Sequence, residues 1–440
     1  MYTPGIVKLL GNEAFKKMTG GGIALIFYFI FLWYLILNIQ INAWFMRDCI
    51  VYLAHLVKIE SGIFDAYIDF RLDRDLYYFV SSNPQNQDFG KTKTYIELRA
   101  LKTTRRLSAG CYYKLNLDLL NRCDFTVNEE SLVIGRSYDL KSIEFLDYND
   151  QDLLQSHDVL DRNDLMHNHE NGRLQIPDFF ECDLFLLVRD VSQANWNELL
   201  DGNNITRIVY DIGAELHANQ AIVRGLFNSR FDTLKRDKPI LVISHWDIDH
   251  YQCLECASIQ EIRTCFSKFV CMDMMKSLTS QRIYKKILYA LGGNNVFCIK
   301  PALRTDGIQM HLWQRIGNVA FYIGEYSRTI NYAGLCMFVH GNIKSAIFTG
   351  DVKLIQAKYI YDNERTNGLR TYKHVLIAPH HGGDYGINSR LYSCPTTSVI
   401  ISVGPNRYGH PSPNMLSYLM SLCHGNVYRT DCFGDIIDRI

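Results

Sequence analysis

The sequence predicts an α/β protein: strands alternating with helices over residues 181–440, a small β-rich domain over 47–150, and an apolar segment over 1–46. Two observations carry this. From Cys182 onward, β-branched runs such as "DLFLLVRDV", "RIVYDIGA" and "PILVISH" are separated by stretches with apolar residues at three- and four-residue steps, as in "ANQAIVRGLFNSRFDTL". Before Cys182, "FDAYIDFRL", "LYYFVSS", "TYIELRAL", "CYYKLNLDLL" and "SLVIG" alternate apolar and polar residues in short pieces, which predicts strands of a small barrel or sandwich.

In chain order, residues 18–46 come first. They contain no charged residue, centre on "IALIFYFIFLWYLIL" and follow Lys16 and Lys17. Such a run approaches the length that crosses a bilayer, so a membrane contact through residues 18–46 is expected, as a single-pass anchor. A buried helix or aromatic strand is the alternative. Basic residues on the two sides nearly balance, while the cysteines favour a body in the cytoplasm. The β-rich domain offers no catalytic cluster. Residues 151–180 are polar and turn-rich and predict a linker. Its His157, His167 and His169 lack a strand frame and read as solvated. In the last domain, helical stretches are expected from Asp249 to about Leu291, then the strands "NNVFCIK", "VAFYIG", "GLCMFVH" and "SAIFTGD", more helix, "HVLIAPHHGG" and "SVIISVG", and the helix "PNMLSYLMSL".

Composition narrows the function less. Hydrophobic residues make up 48% and charged residues 21%, as in an ordinary globular chain, and the formal net charge is zero, so no bulk cationic field draws nucleic acid. Thirteen cysteines without paired spacing suit free thiols in a reducing compartment. Cys253 and Cys256 form C-x-x-C without a second pair, a spacing that on a helix faces the core.

The chemistry-bearing residues lie at strand ends. "LVISHWDIDHY" closes an apolar run with His245, Asp247, Asp249 and His250, the imidazole and carboxylate ligands that divalent transition metals accept. Its plainer reading is a polar turn with Asp249 capping a helix. Three more strand ends repeat the pattern: Asp351 in "AIFTGDV", His380 and His381 in "LIAPHHGGDYG", and His410 in "SVGPNRYGHPSP". A sheet edge is rigid enough to hold ligands in place.

Taken in order, these motifs resemble the metallo-β-lactamase-fold hydrolases, in particular the branch of the competence protein ComEC and its soluble relatives. That branch has H-x-D-x-D-H where "HWDIDH" stands here, and "FTGD", "PHHG" and "SVG…NRYGHP" resemble its later motifs. "RDVSQANW" and "VYDIGA" resemble its early strand turns, so the likeness covers about residues 182 to 440. The resemblance implies an αββα sandwich holding two divalent metal ions, Zn2+ or Mn2+. His245 and Asp247 would hold the first, Asp249 and His250 the second, with Asp351 bridging and His380 completing the set. It further implies hydrolysis by a water that both ions acidify, Asp249 orienting that water and His410 orienting the substrate or protonating the leaving group. His381 is expected to shape its loop. The implied reaction is phosphodiester cleavage, with nucleic acid as the substrate partner. A same-fold hydrolase of a small molecule or amide bond, and a membrane-tethered scaffold with a decayed site, are the alternatives. Three departures stand out: Ser192 and Ala194 replace glycines of the opening turn, Asn331 stands where other members carry a third histidine, and Asp384 replaces a serine after "HHG".

Overall fold

A computed structural model describes residues 48–82, 95–102, 107–117, 120, 125–127, 132–134, 144–145, 173–175, 183–216, 218–303, 307–327, 329–367, 373–384 and 394–440. The apolar segment at 18–46 and the three linker histidines lie outside these residues. Among the described residues no helix is long and apolar enough to cross a membrane.

Parallel strands buried on both faces read as continuous apolar runs, and these make one side of each of the two central sheets. The first sheet contains β8 (Leu184–Val188), β9 (Asn197–Asp201), β10 (Thr206–Tyr210), β11 (Ile240–Ile243), β12 (Lys268–Met272), β13 (Val296–Ile299) and β21 (Ile436–Arg439), ordered β13-β12-β11-β10-β9-β8-β21. The second runs in sequence from β14 (Met310–Ile316) through β15 (Val319–Gly324), β16 (Leu335–Val339), β17 (Ser345–Phe348), β18 (His374–Ile377) and β19 (Thr396–Ile401) to β20 (Val427–Arg429). In each sheet one side is antiparallel and the other parallel. Their inner faces meet in one cluster, with Ile208, Val242 and Val270 of the first sheet against Phe321, Met337 and Val375 of the second.

Helices cover both outer faces. Val223 and Phe227 of α2 (Gln220–Asp237) and Ile283 and Ile287 of α6 (Leu278–Leu291) pack on Val209, Leu241 and Phe269. Ala357 and Ile360 of α7 (Leu354–Thr366), with Met415 and Leu419 of α8 (Pro413–Leu422), pack on Phe338, Ile347 and Leu376. The result is four layers, helix–sheet–sheet–helix. Local chemistry sets the helix ends: Asn219 Oδ1 accepts from Ile222 N at 2.9 Å to open α2, and Ser412 Oγ accepts from Met415 N with Pro413 in the first turn of α8.

A third sheet holds β1 (Asp48–Glu60), β2 (Ile63–Phe70), β3 (Tyr95–Lys102), β4 (Cys111–Asn116), β5 (Phe125–Val127), β6 (Leu132–Ile134) and β7 (Glu144–Phe145), ordered β5-β6-β3-β2-β1-β4-β7. Residues Cys49–Leu115 fall in the same compact unit as residues Cys123–Ile440. Tyr52, Tyr67, Tyr95 and Tyr112 join the cluster of Trp246, Ile248 and Tyr251. Tyr112 Oη donates to Lys276 O (3.1 Å), Lys276 Nζ to Gly110 O (3.2 Å) and Thr279 N to Asp69 Oδ2 (3.2 Å).

Two local expectations fail. "LYYFVSS" lies in α1 (Asp73–Ser82), not in a strand. Asp73 and Asp75 favour a helix N-terminus there, and Leu76 and Phe79 bury one helical face despite the aromatic, branched composition. The stretch from Asp249 to Leu291 is not helical throughout. It holds α3 (Ile248–Tyr251), α4 (Cys253–Cys256) and α5 (Ile259–Cys265), then β12, whose "KFVCM" is buried on both faces and shows no alternation.

Candidate metal centre

Every candidate ligand follows the carboxyl end of a strand that has a parallel neighbour, where open α/β sheets place their ligand crevices. His245 and Asp247 follow β11, Asp351 follows β17, His380 and His381 follow β18, and His410 sits in the loop after β19. The two sheets are pinned together at this edge. Tyr210 Oη, at the end of β10, donates to Leu335 O (2.6 Å), and Leu335 N donates to Ser244 O (2.8 Å).

Asp351 is the meeting point. Its Oδ2 lies 2.6 Å from His380 Nδ1 and 3.8 Å from His245 Nε2, while its Oδ1 lies 3.2 Å from His250 Nε2. Asp247 Oδ2 stands 3.3 Å from His245 Nε2, and Asp249 Oδ1 3.9 Å from His250 Nε2. The six residues that the sequence singles out as ligands thus come together around one carboxylate. His381 stands with them: its Nε2 is 3.2 Å from Asp249 Oδ2, while Nδ1 lies 2.7 Å from Ser402 O. If Nδ1–H donates to that carbonyl, Nε2 turns a lone pair toward the site. Two sets of side chains can each hold a metal ion, His245, His250 and Asp351 in one and Asp249, His250 and His381 in the other.

The donor set fits cations on an independent observation. His245 Nε2, Asp247 Oδ1, Asp249 Oδ1, His250 Nε2 and Asp351 Oδ1 are all buried without a hydrogen-bond partner. Buried polar atoms are ordinarily paired; here His250 Nε2 and Asp351 Oδ1 face only each other at 3.2 Å, and His245 Nε2, Asp247 Oδ1 and Asp249 Oδ1 have no hydrogen bond, a donor set that a cation would satisfy. None of the three carboxylates forms an ion pair with lysine or arginine among the described residues. Charge balance agrees. Burial opposes charge on His250, yet Asp351, Asp211 and Asp249 together raise its pKa well above the usual range. Burial likewise opposes ionisation of Asp351, and His380 and His250 outweigh it and hold the carboxyl ionised. Such a carboxylate excess attracts protons or metal ions alike.

Asp211 is the residue that sequence reasoning leaves without a role. It is fully buried at φ 62°, and it accepts from Ser244 N (2.7 Å) and Ser244 Oγ (2.8 Å). Its Oδ2 lies 2.8 Å from His250 Nδ1, and Ser244 Oγ lies 3.0 Å from His245 Nδ1. Both rings are therefore held from behind, with Nε2 facing Asp351. Its signal was the aspartate directly after β10 in "VYDIGA". Two residues on, a Cβ on Gly213 would stand 1.7 Å from Asp249 O, so only glycine allows that turn to meet the start of α3.

The remaining site residues sit around this cluster. His380 and His381 both take left-handed backbone, φ 51° and 54°, a strain of about 1–3 kcal/mol per residue of the kind that marks functional turns. Asn331 Nδ2 lies 3.3 Å from both Asp351 Oδ2 and His380 Nδ1, so it stands beside the first set. His410 stacks on Tyr408 and meets His380 edge-on, and Asn406 holds its loop through Gly404 O and His410 O. Burial, then the neighbouring His380 and His381, push the His410 pKa down to about 3. Cys253 and Cys256 are free, with Cys253 buried in the core.

The cluster opens into a cavity of about 610 Å³. One wall comes from β1, through His55 to Lys58, and from the turn at Ser108–Gly110. The β-rich region, which the sequence left without a catalytic role, therefore lines the candidate site.

No protein-family model matches the sequence, and no curated protein matches it. Solved structures do show likeness. CmlA, a diiron β-hydroxylase from Streptomyces venezuelae, aligns at 15% identity and TM-score 0.31 over 59% of this chain and 54% of its own, so about half of its length is spanned. Tm1679, a metal-dependent hydrolase of the β-lactamase superfamily, aligns at 10% identity and TM-score 0.32 over 58% of this chain and 99% of its own. The short form of human tRNase Z aligns at 10% identity and TM-score 0.30 over 56% and 90%.

Proposed function

We propose that the chain is a metal-dependent hydrolase of metallo-β-lactamase type, using two divalent ions, zinc or manganese, and that it cuts a phosphodiester. The convergence of His245, His250 and His380 on the buried Asp351 carboxylate, with His245 Nε2, Asp247 Oδ1 and Asp249 Oδ1 buried beside it without a hydrogen bond, carries this reading. A pair of divalent ions there supplies a water acidified to near neutrality and positive charge for the oxyanion that develops. The chain's own groups do the rest. Asp249, ionised between His250 and His381, is placed to orient the attacking water. His410 is neutral at neutral pH, which supports a role in orienting substrate through its unpartnered Nδ1 rather than in storing a proton. His381 joins the proposed ligands of the second ion. Lys58 and Arg407 are among the residues that line the cavity, together with Asp247, Asp249 and Asp351. Nucleic acid is the substrate class that the sequence motifs point to.

Elemental analysis of the purified full chain is the first test, and a decayed scaffold would carry no stoichiometric divalent ion. Hydrolysis of bis(p-nitrophenyl) phosphate, single-stranded DNA, RNA and a β-lactam, with added manganese or zinc, is the second. Asp247→Ala and His380→Ala are expected to abolish diester hydrolysis with little change in folding. Wild-type turnover in either variant would refute the assignment.

A further inference from the structure

The first strand of the β-rich region turns a buried hydroxyl toward one of the proposed metal ligands. The β1–β2 register shifts between Leu53 and His55, leaving Ala54 as an extra residue. Tyr52 stands opposite Asp69 and His55 opposite Tyr67, two residues apart on β2, so both share one face of the sheet. That face meets the site, where Tyr52 joins the cluster of Trp246 and Ile248, the two residues that flank Asp247. A cavity of about 20 Å³ lies there, and Tyr52, His55, Asp69, Trp246, Asp247 and Thr279 contribute to its lining. A single water needs about 10–15 Å³ of such space and two to four polar partners. Three of these residues bring a buried polar atom with no hydrogen bond inside the protein: Tyr52 Oη, His55 Nε2 and Asp247 Oδ1. Tyr52 is 2% exposed, so bulk water does not reach its hydroxyl. Burial, and then the charge of Asp247, push its pKa well up, so the phenol keeps its proton and can donate. Asp247 Oδ2 lies 3.3 Å from His245 Nε2, the other proposed ligand of the first ion, which leaves Oδ1 for an outer partner. Carboxylates that hold a metal are ordinarily hydrogen-bonded from outside in this way.

We propose that Tyr52 is a positioning residue of the metal centre, its hydroxyl holding Asp247 through a water in this cavity. The water accepts from Tyr52 Oη and donates to Asp247 Oδ1, with His55 Nε2 as its third partner. The β-rich region then sets the affinity of the first ion without touching substrate. This assignment rests on the metal sites of the hydrolase reading, not on which bond is cut.

The test uses the full chain, and Tyr52→Phe removes only the hydroxyl. Metal-free protein is titrated with Zn2+ and, separately, with Mn2+ against a chromophoric chelator, and Tm is read with and without each ion. Tyr52→Phe is expected to weaken the binding of one ion about tenfold and to leave the other within about twofold. Its Tm in chelator should stay close to wild type, while the rise in Tm on adding metal shrinks. An equal loss of Tm with and without metal is what a packing role gives, and it overturns the proposal. In Asp247→Ala, adding Tyr52→Phe should lower affinity no further, because the carboxylate it holds is gone. Additive losses place the action of the hydroxyl elsewhere and overturn the proposal too. Unchanged affinity in Tyr52→Phe sinks the positioning role and leaves the hydrolase reading standing. Wild-type protein that binds neither ion sinks both. Tyr52-dependent metal binding in a protein that cuts no diester upholds the positioning role and sinks the hydrolase reading.

Discussion

Asp211 holds a left-handed backbone conformation, has no exposed surface and faces no substrate, yet it reaches both central histidines, one directly and one through Ser244. Replacing it with asparagine tests whether it governs the imidazole tautomer. Asparagine tolerates φ of about +60°, so folding should change little. Its amide nitrogen, if turned to His250 Nδ1, would move the ring proton to Nε2 and block that ligand atom. The expected result for Asp211→Asn is a ten- to hundredfold loss of metal affinity. Chelator competition measures it, with circular dichroism as the folding control. At this scale the sequence was most informative where the residue type itself is unusual: His245, Asp247, Asp249 and His250 stand out within six positions. Asp211 and His381 were harder to read, because their roles come from what faces them: Ser244 and His250 for Asp211, Asp249 and Ser402 for His381.

Elements show a different pattern. Interior strands such as β11 and β18 were visible as short apolar runs, and α2 and α8 as periodic stretches with capping residues. The same continuity hid β12 inside an expected helical stretch, and Asp73 with Asp75 turned an aromatic run into α1. The turn after β10 depends on packing that no propensity encodes. A methyl on Gly213 would collide with the carbonyl of Asp249, so Gly213→Ala should displace α3, costing about 1–3 kcal/mol in denaturant unfolding and weakening metal binding with it. A normal midpoint with normal metal affinity would show that this turn is not under constraint. On α7, Glu364 is buried among Arg315, Tyr322 and His340, with His340 Nε2 at 2.6 Å. Burial opposes its charge, but bonds from those three partners outweigh it and hold the pKa at about 2, below the ordinary 4.5. A depressed carboxylate contributes stability above its unfolded pKa and loses it as pH falls. The stability difference between wild type and Glu364→Gln, on the order of 2–3 kcal/mol at neutral pH, should therefore shrink as pH drops from about 4.5 to about 2. A constant difference across that window would remove the charge from the account.

For the molecule as a whole, the sequence separated a β-rich region from the part that carries the candidate site, because composition and periodicity change near Cys182. It did not show that Tyr52, Tyr67, Tyr95 and Tyr112 share one core cluster with Trp246 and Tyr251, since those contacts join residues far apart in the chain. That shared core has a thermodynamic consequence. Ions that bind only the folded state stabilise it by about 2.7 kcal/mol at a hundredfold excess over Kd. The clustered carboxylates lie on the edge that joins both sheets and faces the β1 wall, so removing ions bound there should weaken all three together. Dialysis against chelator should lower Tm by several degrees in one cooperative transition, with tyrosine and tryptophan fluorescence changing in step. In His250→Ala, which removes the side chain common to both sets, chelator should no longer shift Tm. Two separate transitions would show that the β-rich region folds independently of the centre. A chelator shift that survives in His250→Ala would place the bound ions elsewhere.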